Sequence, residues 1–301
     1  MKIGETKLLP IGGEVLASES SEKQSHRRNR LPILPCIYDP LEIVFAFRGI
    51  GWDFGRNVYI PQETRSLERG AFLRSTSLSF LKYYFLLDGL ESVMKSIPGV
   101  GSPEGGSMFF PQLPFFQRYV VSTAIHISTG TSLLSGFHMV YNLCTLISVG
   151  VFGQSPLSWP PIFNNPWAAD SLNVFWAQRW HQLLRRMFVV YGGYPGSWIL
   201  GPKLGMVFGT FLASGLFHEF TTYTMGKGLD HSITLFFLWQ AVGVVLERMW
   251  KKATGYRVQG WGGLAWVYFS IMVIGQPCGE SFSNFLSFVV VVETLMLLYS
   301  S

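Results

Sequence analysis

The chain has 301 residues, a net charge of +5, and is 49% hydrophobic and 16% aromatic, but only 14% charged. Soluble domains carry about 25% charged residues, so this composition argues against a water-soluble globule and for integration into a bilayer. No basic patch is interleaved with exposed aromatics, which argues against a nucleic-acid partner. Cys36, Cys144 and Cys278 are odd in number and far apart, which supports neither a disulfide framework nor a zinc site.

Residues 1–32 are polar and end in His26-Arg-Arg-Asn-Arg30. They carry no early apolar stretch of the signal-peptide kind and are expected to form a flexible cytosolic tail ahead of one membrane domain, 33–301. Ile33 to Phe47 is short and holds Asp39 and Glu42, which suits an interfacial position. Leu78 to Ile97 is aromatic-rich but interrupted by Lys82, Asp88 and Glu91. From Tyr119 to Ala169 there are 51 residues without Asp, Glu, Lys or Arg. Tyr119 to Phe152 is long enough for one tilted helix, or for a helix broken near Gly130 or Gly136. Gly99 to Gly106 and Gly153 to Ala169 read as loops. Further spans are expected near Trp198–Phe217, Ser232–Leu246, Trp261–Ile274 and Phe282–Leu298. The fold class is therefore an all-α integral membrane protein with about five to eight transmembrane helices.

Between the loop and the later spans, Ser171 to Val190 has an amphipathic pattern. Asp170 and Ser171 are N-cap residue types. At 100° per residue Leu172, Trp176, Trp180, Leu183 and Met187 share one face, and Arg179, Gln182, Arg185 and Arg186 the other. This predicts a helix in the membrane plane with its basic side toward the headgroups. His181 falls at the border of the two faces.

Two histidines sit in apolar surroundings: His181 after Trp180, and His218 at the end of an uncharged run from Leu204. An ionisable residue at membrane depth is by default a functional hypothesis; the alternatives are that His218 only hydrogen-bonds a neighbouring helix and that His181 is an ordinary interfacial histidine. The gaps between successive histidines are 100, 12, 43, 37 and 13 residues, none matching the i, i+3 or i, i+4 placement of paired metal ligands on one helix face. No bound cofactor or metal is therefore expected. A neutral histidine that takes a proton from an attacking hydroxyl remains. His126 and His138, inside the charge-free run, fit packing or a substrate cavity equally well.

Phe175-Trp-Ala-Gln-Arg-Trp180-His181-Gln182, then Ser214-Gly-Leu-Phe-His218-Glu219, resembles the wax-synthase-like branch of the membrane-bound O-acyltransferases. Arg48-Gly-Ile-Gly-Trp52 and Asn165-Pro166 add to the likeness, which covers roughly Leu41 to Leu298. The resemblance implies acyl-CoA as cosubstrate and a hydrophobic alcohol as acceptor. It implies His218 as catalytic base, and His181 as a residue that positions or polarises the reacting groups. Fungal members of this kind acetylate terpenoid or meroterpenoid alcohols in secondary metabolism, and plant relatives make wax esters. Many relatives have further membrane helices before the Arg-Gly-Ile-Gly segment, where this chain has a polar tail. Trp180, Arg179, Arg185, Arg186, Ser214 and Glu219, which flank the histidines, are the candidate substrate- and coenzyme-binding residues. The expected location is the endoplasmic reticulum, as a multi-pass protein.

Two other classes compete. A transporter would show matching helix breaks in two halves, and Gly192-Gly193 and Gly201-Pro202 have no evident counterpart. A membrane terpene cyclase would use intramembrane acids such as Glu219, Glu280 or Glu293, but leaves both histidine motifs unexplained.

Overall fold

The computed structural model describes Arg48, Ile50, Val100, Gly228, Leu229 and residues 59–97, 108–224 and 231–276. The expected tail 1–32, the Ile33–Phe47 segment and the Phe282–Leu298 span lie outside these residues, as does nearly all of the expected 99–106 loop.

Helix α1, Arg69–Ser96, starts where the Glu68 carboxylate accepts from Gly70 N and Ala71 N, at 2.9 and 2.8 Å. That arrangement satisfies two of the backbone donors that a helix start leaves open. Helix α2, Phe115–Gly150, is a single unbroken element of 36 residues, so neither Gly130 nor Gly136 interrupts it. At 1.5 Å per residue it is about 54 Å long, well beyond the roughly 30 Å hydrocarbon core.

The side distribution on α2 is inverted relative to a soluble helix. Ser122, Thr129, Ser132, Ser135, Asn142 and Thr145 are buried, while Val120, Ile127, Val140, Leu143 and Ile147 are exposed. Small and hydroxyl-bearing residues let helices approach closely in lipid, where apolar side chains gain nothing by turning inward. Inner hydroxyls donate one turn back, Thr129 to Ile125 O and Thr145 to Tyr141 O, at 3.0 and 2.7 Å, whereas the buried Ser132 Oγ has no partner among the described residues. Asn142 Nδ2 reaches across to Ser79 Oγ of α1 at 3.0 Å.

After the loop, Leu172–Val174 forms a short helical turn that continues as a π-helix, Phe175–Arg179. A second short piece follows, Arg185–Phe188 with the π-helix Val189–Gly193, and leads into α3, Tyr194–Leu200. Helices α4, Leu204–Thr224, and α5, Ser232–Thr254, come next. Last is α6, Gly260–Tyr268, prolonged by the π-helix Phe269–Val273. Among the described residues, α2 and α5 are the two helices both long and apolar enough to cross a bilayer. The expected 198–217 span does not exist as one piece: Gly201, at φ 83°, ends α3, and α4 starts afresh at Leu204.

The 189–200 stretch and α4 cross at backbone contact. A side chain added at Gly192 or Gly209 would overlap the other's carbonyl region, and the same holds for Gly196 and Gly205. Gly192-x-x-x-Gly196 thus faces Gly205-x-x-x-Gly209, the small-residue spacing that brings membrane helices together. This crossing holds α4, and with it His218, close to the broken segment that carries His181.

Candidate active site

The break between the two short helical pieces carries His181. Trp180 leaves the helix with φ −77° and ψ 156°. Gln182 is buried, and its Nε2 donates to Trp176 O at 2.9 Å and Trp180 O at 2.7 Å, carbonyls that a continuing helix would have used itself. The single amphipathic helix expected over Ser171 to Val190 is therefore replaced by two pieces with a kink. The wheel fails because the π-turn at 175–179 inserts an extra residue into the rotation. It also placed Gln182 on a headgroup-facing side, whereas the side chain turns inward to close the break. Ser171 does cap as expected, accepting from Val174 N at 3.1 Å, while Asp170 Oδ2 accepts from Gly260 N at 3.1 Å.

The His181 ring packs against Phe137 at 4.6 Å, Trp180 at 5.5 Å and Phe163 at 5.9 Å between centroids. Its Nδ1 is sealed from solvent and makes no hydrogen bond. Burial, with a smaller repulsion from His218, pushes His181 down to about 3, so the imidazole is neutral at physiological pH.

His218 rises from α4 and lies parallel to Phe237 of α5, with ring centroids 5.1 Å apart and planes 6° from parallel. Phe217 and Phe188 border it at 5.5 and 6.5 Å. Ser214 is buried one helical turn earlier on the same face. Like His181, His218 is partly buried as a residue. Its neighbour Glu219 points away from this space. The Glu219 carboxylate accepts from His231 N at 2.9 Å, Thr234 N at 3.3 Å and Thr234 Oγ1 at 3.1 Å, closing the start of α5.

Several contacts around the histidines are not legible in the sequence. Phe163 touches His138, His181, Trp180 and Phe137, with centroids between 5.0 and 6.2 Å. His138 stacks on Tyr83 at 4.0 Å and 1°. Its place in the charge-free run was the available signal. Two arginines hold the loop that delivers Phe163. Arg48 donates to Pro161 O and Pro160 O at 2.9 and 2.8 Å and also to Tyr141 Oη. Arg65, gripped by Glu63, donates to Trp159 O at 2.8 Å. The Arg48-Gly-Ile-Gly motif thus begins with a loop clamp.

Residues 159–239, which include both histidines and Phe237, match the membrane bound O-acyl transferase family. The chain is 25% identical over 294 residues to an O-mevalon transferase of Aspergillus niger, covering 83% of this chain and 65% of that one. An acetyltransferase of Calcarisporium arbuscula is 28% identical over 219 residues, 66% of this chain and 52% of its own. An acyl-CoA–sterol O-acyltransferase of Arabidopsis thaliana is 28% identical over 171 residues, 52% and 49% of the two chains. The chain spans about half to two thirds of the length of these relatives.

Within this matching segment the three arginines differ in what they already hold. Arg179 Nη1 donates to Asn164 O and Asn165 O at 3.1 and 3.0 Å, bracing the turn where Asn165 has φ 45°. Arg186 Nη1 lies 3.5 Å from Tyr194 Oη. Arg185, whose proton affinity burial lowers, has no hydrogen-bond or ion-pair partner among the described residues. Trp180 stacks on Phe175 at 5.5 Å and forms the wall beside His181.

Proposed function

We propose that this protein transfers an acyl group, acetyl by preference, from acyl-CoA to a hydroxyl of a hydrophobic terpenoid or meroterpenoid alcohol. The supporting observation is that an unbroken run of ring contacts, His181 to Trp180 to Trp176 to Phe237 to His218, joins the two histidines inside the segment that matches the family. Relatives named as fungal acetyltransferases support the choice of acetyl. In this reading 33–301 is the membrane acyltransferase domain, multi-pass and resident in the endoplasmic reticulum, with 1–32 as its cytosolic tail.

His218 accepts the hydroxyl proton as the oxygen attacks the thioester carbonyl. The tetrahedral intermediate then collapses, the carbon–sulfur bond breaks, and the imidazolium returns the proton to the departing thiolate. A thioester already carries a good leaving group, so no enzyme nucleophile is needed. His181, neutral at working pH, is suited to donate a hydrogen bond to the carbonyl oxygen as negative charge develops there. Arg185 is the arginine available to the phosphates of coenzyme A, because Arg179 is committed to the 164–165 turn. Trp180 packs beside His181, and Ser214 lies one helical turn before His218.

The test is expression in microsomes with labelled acetyl-CoA and a panel of terpenoid alcohols, read by product mass. An added acetyl group supports the reading. An unchanged mass with altered retention indicates cyclisation and overturns it. A second reading, synthesis of long-chain or sterol esters, is supported by the likeness to the plant sterol acyltransferase. It replaces the first if long-chain acyl-CoA is the preferred donor.

A further inference from the structure

Helix α5 carries neither site histidine, yet both elements that do are tied to it by buried polar contacts. At its start, Glu219 of α4 closes the first turn through His231 N, Thr234 N and Thr234 Oγ1. Beside this contact Gly215 comes so close that an added Cβ would lie 2.9 Å from Thr234 Cα. These two contacts bring His218, adjacent to Glu219, onto Phe237.

Further along α5, Gln240 Oε1 accepts from Trp176 Nε1 at 3.2 Å. Farther still, Glu247 takes the start of the other element. Its Oε1 accepts from Leu172 N at 2.6 Å and from Trp266 Nε1 at 3.1 Å, and its Oε2 accepts from Asn173 N at 3.1 Å. Leu172 and Asn173 open the short piece that runs through the π-helix to Trp180 and His181. Their N–H groups are open donors at a helix start, and a helix of three residues cannot hold its own direction in the way a long one can. The direction of 172–181 is therefore set from outside, by Glu247 and Gln240.

We infer that Glu247 is a positioning residue for His181: it fixes the entry of the 172–181 segment on the same helix that fixes His218, and so sets the relative placement of the two imidazoles. All three of its bonds use the carboxylate as acceptor, which an amide can reproduce only in part. The inference rests on the acyl-transfer reading for its catalytic consequence, but not for its geometry.

The experiment is a double-mutant cycle on the full chain in lipid nanodiscs, with Glu247→Gln, His181→Ala and the double variant. Glu247→Gln keeps side-chain size and one acceptor oxygen, so the fold is retained. It is expected to lower kcat about 10–100-fold, the scale of a small misplacement of a reacting group. KM for acyl-CoA is expected to change less than about twofold. In the His181→Ala background the same substitution is expected to cost almost nothing further, because its effect passes through His181. An equal loss in both backgrounds overturns the inference, since a merely structural defect does not depend on His181.

A second readout needs no activity. In histidine-labelled protein, the imidazole nitrogen resonance that disappears in His181→Ala is expected to shift or broaden in Glu247→Gln. A fixed His181 resonance overturns the positioning role whether or not the chain transfers acyl groups. A shifted resonance in a chain that transfers none supports the positioning and removes the acyl-transfer reading.

Discussion

His218 lies flat on Phe237, the rings 5.1 Å apart and 6° from parallel, although the two residues belong to different helices. A parallel ring fixes the plane of the imidazole and thereby the direction in which its nitrogens point. Phe237→Leu keeps most of the buried volume and loses the ring face. An aromatic pair contributes about 0.5–1.5 kcal/mol beyond its buried area. Phe237→Leu is therefore expected to lower kcat about 2–10-fold with a small change in melting temperature. Steady-state kinetics alongside thermal unfolding checks this; an unchanged kcat removes the orienting role.

His181 gives a pH dependence with a definite sign. Its proton affinity in the folded chain, near 3, is below the ordinary histidine value, so below about pH 6.5 the unfolded chain binds a proton that the folded chain refuses. The unfolded state then holds more protons, and folded stability falls as the pH drops from about 6.5 toward 3, by at most about 1.4 kcal/mol per pH unit from this residue. His181→Gln is expected to flatten that loss, as measured by denaturant unfolding in detergent at pH 7 and pH 5. Parallel pH curves for the two proteins would contradict it.

The glycine crossing between 189–200 and α4 has no room for a side chain. Gly209→Leu places carbon where the Gly192 carbonyl already is. The helices must separate, at about 1–3 kcal/mol or more, and His218 moves away from the His181 segment. Gly130→Leu, on α2 where a Cβ meets nothing within 4 Å, is the control and is expected to be tolerated. Equal expression and melting of the two variants counts against the crossing.

The arginines are separable by kinetics. Losing a charge-assisted phosphate contact costs about 1.5–3 kcal/mol, so Arg185→Gln is expected to raise KM for acyl-CoA about 10–100-fold. Arg179→Gln breaks the brace on Asn164 O and Asn165 O and is expected to lower thermal stability instead. Titrations of acyl-CoA against each variant decide between them, and the opposite pattern transfers the phosphate role to Arg179.

The features legible in the sequence were those with a local cause. A charge-free run from Tyr119 became the one long helix Phe115–Gly150, and Ser171 capped the turn that follows it. Both histidines stood out because an ionisable group in an apolar run has an immediate cost. The rest depended on partners far along the chain. Glu247 meets Leu172 across 75 residues, and no pattern near either residue marks the pairing. The wheel over Ser171 to Val190 assumed regular rotation, which the π-turns and the buried Gln182 cancel. His138 stands out in the charge-free run, but its approach to Phe163 is a tertiary contact.

The central claim is that His218 removes the proton from the acceptor hydroxyl. The direct measurement is single-turnover transfer of labelled acetyl from acetyl-CoA by His218→Ala in nanodiscs, at saturating donor and acceptor. Loss of a general base costs about 10²–10⁴-fold in rate, with donor binding retained. Ester formation at the wild-type rate by His218→Ala would contradict the account.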